Sequence, residues 1–179
     1  MSLFNKLPLC LFMEKVLIEK VTLQHIHDLQ SIGKTTFEET FAAYNTAENM
    51  QQYLEKSFHI NQLKSEIENT NTDFYFAKYE STILGYLKLN YNAEKNALEI
   101  ERIYVLQAYQ GKKIGQLLFD KAKEIAKEKN VNYIWLGVWE ENLKAINFYK
   151  KQGFITFDKH IFQLGNDAQT DILMQLILK

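Results

Sequence analysis

Two short segments hold the groups best suited to chemistry. The first is Gln110-Gly111-Lys112-Lys113-Ile114-Gly115, a turn with two glycines between an apolar run and a helical pattern. The first N–H groups of a helix have no internal partner and point outward, and the helix dipole adds partial positive charge there. Glycine lets the backbone approach a phosphate closely, and Lys112 and Lys113 add full charges, so the turn could cradle a pyrophosphate. An ordinary strand-to-helix turn with solvated lysines reads the same way, and short glycine patterns are weak signals alone. The chain has neither the three-glycine dinucleotide fingerprint nor a Gly-Lys-Ser/Thr phosphate loop. The second segment runs from Asn142 to Phe154. Asn142 can cap a helix and Gly153 can end it. Ala145, Ile146 and Tyr149 then share one face, which gives Tyr149 a direction toward a sheet, as a proton donor or as a core tyrosine.

The surrounding pattern supplies the elements that must position these segments. Val16–Val21 reads as a strand, and Thr22 can cap a helix with Leu23, Ile26 and Leu29 at helical spacing. Phe37, Phe41 and Tyr44 continue a helical pattern past Gly33. Thr46 can cap another helix carrying Met50, Leu54 and Phe58, and Leu63 with Ile67 marks a short one. Asp73–Tyr79 and Ile83–Asn90 flank Glu80-Ser81-Thr82 as a hairpin. Leu98–Leu106 is a third strand of this group. After Gly111, the residues Ile114, Leu117, Leu118, Ala122 and Ile125 form one helical face, with Asn130 as its stop. Val131–Trp139 reads as a strand, followed by the Asn142–Gln152 helix and two strands near 154–162 and 171–178. The order predicts a mixed α/β (α+β) domain around one sheet.

Composition bounds the rest. With 179 residues, 46% apolar and 24% charged, the chain is one globular domain by size. A formal net charge of −1 argues against a general nucleic-acid binder. Cys10 is the only cysteine, which excludes an internal disulfide and a cysteine metal cluster and fits a reducing compartment. His25, His27, His59 and His160 do not cluster with carboxylates at a metal spacing, so no metal is expected. The apolar run Leu7–Met13 lacks a small-residue cleavage site and is too short to span a bilayer. Residues 1–13 are therefore set apart as an N-terminal extension or tag-derived segment, with Met13 a second possible start. Residues 14–179 are expected to form the single domain, in the cytoplasm, with no membrane partner.

In this order and spacing the two segments resemble the GNAT superfamily of acyl-CoA-dependent N-acetyltransferases. Gln110, Ile114 and Gly115 fit that family's Gln/Arg-x-x-Gly-x-Gly/Ala frame. Lys113 stands at its first glycine and Gly111 at its second position, so either Lys113 tolerates the backbone shape or Gly111 relieves it. Asn142, Ala145, Phe148, Tyr149, Gly153 and Phe154 match the second motif, Asn-x-x-Ala-x-x-Phe-Tyr-x-x-x-Gly-Phe, without a gap. The resemblance covers nearly all of residues 16–178. Within the family, Glu48-Asn49-Met50, Leu98–Val105, Trp135–Glu140 and Gln169-Thr170-Asp171 look like the PaiA-type polyamine N-acetyltransferases, which acetylate spermidine and spermine and are linked to bacterial regulation.

The resemblance implies a GNAT fold, a mixed sheet of about seven strands flanked by helices and splayed between the fourth and fifth strands. It implies acetyl-CoA as cosubstrate. Pantetheine would lie in the splay, with backbone bonds to Ile103, Tyr104 and Val105, one of whose N–H groups would polarise the thioester carbonyl. Gln110 belongs to the phosphate motif, and the backbone of Gly111, Lys112, Lys113, Ile114, Gly115 and Gln116 would hold the pyrophosphate. Asn142 and Lys151 are candidates for further cofactor contacts, although Lys151 also reads as a solvated lysine. Tyr149 would be the general acid for the departing thiolate, its free pKa of about 10 suiting that donation. Some relatives place a base on the strand matching Tyr133–Trp139, but here that position is Gly137. Glu101 is then the expected base, through a water, with Glu140 as second choice. Strand alternation would put Glu99, Glu101, Ile103 and Val105 on one face. Glu99 and Glu101 also read as sheet-surface carboxylates pairing with Arg102.

Residues 36–70 hold six glutamates against Lys56 and Lys64, and acidic walls there would attract a cation such as a polyamine. Solvated helix faces give the same composition. The expected function is therefore acetyl transfer from acetyl-CoA to a primary amine, a polyamine first, by direct attack in a ternary complex. Lone Cys10, far from both motifs, does not suit an acyl carrier. Another amine, such as a protein N-terminus or a small-molecule amine, and a non-catalytic acyl-CoA-binding regulator are the alternatives. The sequence leaves the oligomeric state open, a homodimer included.

Overall fold

A computed structural model describes residues 9–165 and 167–179 of the chain. Helix α1 (Leu9–Glu14) precedes β1 (Val16–Lys20), and three helices follow: α2 (Ile26–Phe41), α3 (Ala47–Ser57) and α4 (Ile60–Glu68). The antiparallel run β2 (Thr72–Tyr79), β3 (Thr82–Asn92) and β4 (Ala97–Val105) leads into α5 (Ile114–Glu128). β5 (Tyr133–Trp139), α6 (Leu143–Lys151), β6 (Ile155–Leu164) and β7 (Asp167–Ile177) complete the chain. The seven strands form one sheet in the order β1-β2-β3-β4-β5-β7-β6, with β4 and β5 parallel. This is the mixed seven-stranded sheet expected. Among the described residues no helix is long and apolar enough to cross a membrane.

Local sequence explains the element boundaries. The Thr46 hydroxyl accepts the Asn49 N–H at 3.2 Å and starts α3. Thr22 opens a short 3-10 turn, Leu23–His25, before α2 begins at Ile26. Gly33 sits inside α2 because the Phe58 ring fills the space where a Cβ would lie. Asn130, with φ of 54°, ends α5 in a left-handed turn, and Val131 N–H donates back to the Ala126 carbonyl.

The sheet is buried on both faces. On one, Leu118, Phe119, Ala122 and Ala126 of α5 pack on Leu98, Ile134 and Leu136. On the other, Leu29 and Phe37 of α2, Leu54 of α3 and Leu63 of α4 cover Phe74, Phe76 and Tyr86. Residues 1–8 of the expected extension lie outside the described residues. Its last part, however, is built into the core: Phe12 is 4% exposed and stacks on Tyr79 with ring centroids 4.9 Å apart. Phe12 and Met13 pack on the core while Leu11 is exposed, so apolar burial ties the end of this segment to the sheet.

Candidate active site

The site begins where two strands part. β4 and β5 pair only from Ala97 to Glu99 against Tyr133 to Trp135. Beyond Glu99, β4 bonds only to β3, and β5 only to β7. Alternate N–H and C=O groups of Ile100–Val105 therefore point into an open gap. A cleft of about 270 Å³ occupies it, and Glu101, Ile103, Tyr104, Asn142 and Tyr149 are among its lining.

The glycine turn lies where β4 runs on toward α5. Gly111 has φ of 77° and Lys113 has φ of 62°, so both motif positions adopt the left-handed conformation. Lys113 thus takes the backbone shape itself, at a cost of about 1 kcal/mol for a residue with a Cβ. Gln116 and Leu117 donate to the Lys113 carbonyl at 3.0 and 3.2 Å. Among the described residues, the N–H groups of Gly111 through Gly115 donate to no backbone carbonyl outside the helix. A Cβ at Gly111 would meet nothing within 4 Å, and one at Gly115 would meet only Val105 at 4.0 Å. Open space thus stands beside outward N–H groups at a helix start, which fits a pyrophosphate. Gln116 departs from the expected set: its N–H is engaged by Lys113, and its side chain accepts from Gln152 Nε2 at 2.8 Å.

Side-chain ties hold this turn against α6. Lys144 Nζ donates to Gln110 Oε1 at 2.7 Å, and Gln110 Nε2 donates to the Val105 carbonyl at 3.2 Å. Asn142 caps α6 by accepting the Ala145 N–H at 3.1 Å. At the other end Gly153, with φ of 91°, lets Phe154 N–H donate to the Tyr149 carbonyl. Both ends of the helix are therefore fixed, and with them the direction of Tyr149. Its ring is 6% exposed between Phe148 and Phe154, and burial pushes its phenol well above the ordinary tyrosine value. The group stays protonated. Lys151 is exposed on the last turn of α6 and does not line the cleft.

Glu101 is placed differently from expectation. Lys88 pairs with Arg102 and Leu89 with Ile100, so Glu101 is the extra residue of a β-bulge. The bulge breaks the alternation. Ile103 and Val105 pack on the α5 face, while Tyr104 and Leu106 pack on the α2 face. Lys88 Nζ lies 2.7 Å from both Glu101 oxygens, Asn90 Nδ2 donates to Oε2 at 2.6 Å, and Arg102 stands 3.4 Å from Oε1. Burial alone would raise this carboxyl, but Lys88 and Arg102 outweigh it and hold the pKa below the ordinary value. A carboxylate so engaged is a poor proton acceptor, which argues against the general-base role expected of it.

The acidic helices also fall elsewhere. From residues 36–70 only Phe37, Phe41 and Tyr53 line the cleft; Glu38, Glu39, Glu48, Glu55 and Glu68 are exposed, and Glu66 turns inward to Lys88 at 2.9 Å. The carboxylates that do line it are Glu99, Glu101 and Asp171, against the single guanidinium of Arg102. His160, Trp135, Trp139 and Phe162 complete the wall. Sequence reasoning gave His160 and Asp171 no role. A usable signal was present, since residues counted outward from the Gly165-Asn166 dipeptide pair His160 with Asp171, as the register bears out.

Comparison with known proteins agrees with this geometry. Residues 31–154 match the Acetyltransferase (GNAT) family, and the chain belongs to it. An uncharacterized N-acetyltransferase of the pepI 3' region in Lactobacillus delbrueckii is 38% identical over 93% of this chain and 99% of its own. The spermidine N(1)-acetyltransferase of Thermoplasma acidophilum is 28% identical over 76% of this chain and 86% of its own. The crystal structure of the PaiA N-acetyltransferase of Thermoplasma acidophilum in complex with coenzyme A superposes with a TM-score of 0.79. It is 26% identical and covers 91% of this chain and 99% of that one. The protein is an acetyl-CoA-dependent N-acetyltransferase with a GNAT fold.

Proposed function

We propose that the enzyme acetylates a primary amine of a polyamine, spermidine or spermine, by direct attack in a ternary complex. The cleft's lining carries this reading: three carboxylates against one guanidinium, set among the rings of Phe41, Tyr53, Trp139 and Phe162. A polyamine is a chain of cations joined by methylene stems. Carboxylates raise its local concentration, and aromatic faces take both ammonium groups and stems. The 28% likeness to a spermidine acetyltransferase supports the same acceptor.

Acetyl-CoA, when bound, supplies an acetyl group activated as a thioester. The open edge of β4 at Ile103–Val105 offers backbone groups to pantetheine, and the outward N–H groups of Gly111–Gly115 offer a seat for its pyrophosphate. Lys112 and Lys113 add charge at that seat. Tyr149 holds the proton that the sulfur needs on leaving. Glu101 is matched by Lys88 and Arg102, so the acidic character of the acceptor wall comes from Glu99 and Asp171. Thiol release measured across spermidine, spermine, putrescine and peptide N-termini tests the reading. Spermidine and spermine are expected to lead in kcat/KM by about tenfold or more, about 1.4 kcal/mol of preference. Preference for peptide N-termini, or no thiol release with any amine, overturns it.

A further inference from the structure

The cleft needs a group that takes the proton from an ammonium, and Glu101 is already committed to Lys88. A second cluster lies across the gap. On β5, Trp135 and Trp139 face the cleft with Gly137 between them, and the space above Gly137 is filled from the neighbouring strands. A Cβ at Gly137 would stand 3.3 Å from Asp171 Oδ2 and 3.4 Å from His160 Cε1, tighter than such contacts ordinarily allow. His160 and Asp171 are direct register partners on β6 and β7, with Nε2 and Oδ2 3.9 Å apart. Both line the cleft, as does Glu99 on β4.

The geometry points to His160 as the proton acceptor for the attacking amine, with Asp171 positioning the imidazole and stabilising its charged form. This rests on the acetyl-transfer reading of the cleft but not on the acceptor being a polyamine. At 3.9 Å the Asp171 carboxylate makes no hydrogen bond to Nε2 but stands close enough to stabilise an imidazolium. Asp171 faces His160 from β7 and Glu99 acts on it from β4; β5 presents only Gly137 and the tryptophans, and Lys159 and Asp158 flank it along β6. Among the described residues no lysine or arginine pairs with Glu99 or Asp171. Burial raises the carboxyl pKa of both, and His160 opposes that rise in each. The His160 side chain is 46% exposed, so a proton taken up in the cleft has a path to water.

The protons balance. The ammonium gives one proton to His160, which passes it to solvent. The freed lone pair forms the C–N bond of the amide as the C–S bond breaks. The sulfur leaves with the electron pair and takes the Tyr149 proton, and the second proton lost by the nitrogen restores Tyr149. The net products are the acetylated amine, the free thiol and one proton.

The test uses the full chain with the best amine of the acceptor panel. His160→Gln is expected to lower kcat about a hundredfold or more and to abolish the acid-side limb of the kcat–pH profile, with acetyl-CoA Kd unchanged. Added imidazole is expected to restore turnover to His160→Ala in proportion to its concentration, which a merely structural role would not produce. Asp171→Asn is expected to lower kcat about tenfold with acetyl-CoA Kd unchanged, and Asp171→Glu to recover part of it, because a carboxylate at this position orients the ring and faces the charge it gains. A His160→Gln enzyme that keeps its kcat and its acid limb overturns the proposal, as does loss of that limb in Glu99→Gln alone. An enzyme that prefers a non-polyamine yet loses the limb in His160→Gln sinks the acceptor assignment and leaves His160 in place.

Discussion

The glycine turn with α6 and the wall formed by Glu99, His160 and Asp171 are the two halves of the proposed site and are made by different means. The first is built from two short continuous segments and relies on backbone: outward N–H groups, two left-handed residues and a capped helix. The second is gathered from β4, β6 and β7, over a glycine of β5, and relies on side chains. A fixed ligand end such as a pyrophosphate can be held by backbone geometry, which few residue types encode. An acceptor that differs among relatives is chosen by side chains, which can change without altering the frame.

Variants at each half test this contrast. Tyr149→Phe removes the phenol proposed as proton donor while leaving the packing between Phe148 and Phe154. We expect kcat to fall by about a thousandfold with acetyl-CoA Kd unchanged, measured by steady-state kinetics and titration. Glu101→Gln leaves Lys88 and Arg102 to share the one remaining carboxylate of Glu66, and denaturant unfolding should show a loss of up to about 3 kcal/mol. Its pH dependence has a definite sign. Glu101 has a lowered folded pKa, so its stabilisation is present above the ordinary carboxylate value and is lost as pH falls through the lowered one. The wild type should therefore lose stability on acidification, and the variant should lose less.

Gly115→Asp places an anion where a Cβ meets only Val105 at 4.0 Å. Acetyl-CoA should bind about thirtyfold more weakly, roughly 2 kcal/mol, while the melting temperature holds. Lys113→Gly should stabilise the fold by about 1 kcal/mol in the same unfolding assay, because it relieves a side chain held at φ of 62°.

The same contrast decides what could be read from sequence. The strands, the helices and their order were legible because hydrophobic period and capping residues are local signals. The capped helix carrying Tyr149 was legible for the same reason, whereas its pairing with the turn came from the family resemblance of the two motifs. The β-bulge at Glu101 was not, because inserting one residue into a ladder depends on the partner strand, and it moved Ile103 and Val105 to the opposite face. His160 and Asp171 were missed because their meaning depends on the space over Gly137, which only the packed sheet defines. The acidic helices misled for a related reason: composition counts charges but does not say which way they face, and most of those glutamates face solvent.

The most direct test measures spermidine KM and acetyl-CoA Kd side by side in the wild type and in Glu99→Gln. With the two halves separate and the acidic wall choosing the amine, spermidine KM should rise about tenfold while acetyl-CoA Kd stays the same. An unchanged spermidine KM, or an acetyl-CoA Kd that weakens equally, would contradict the account.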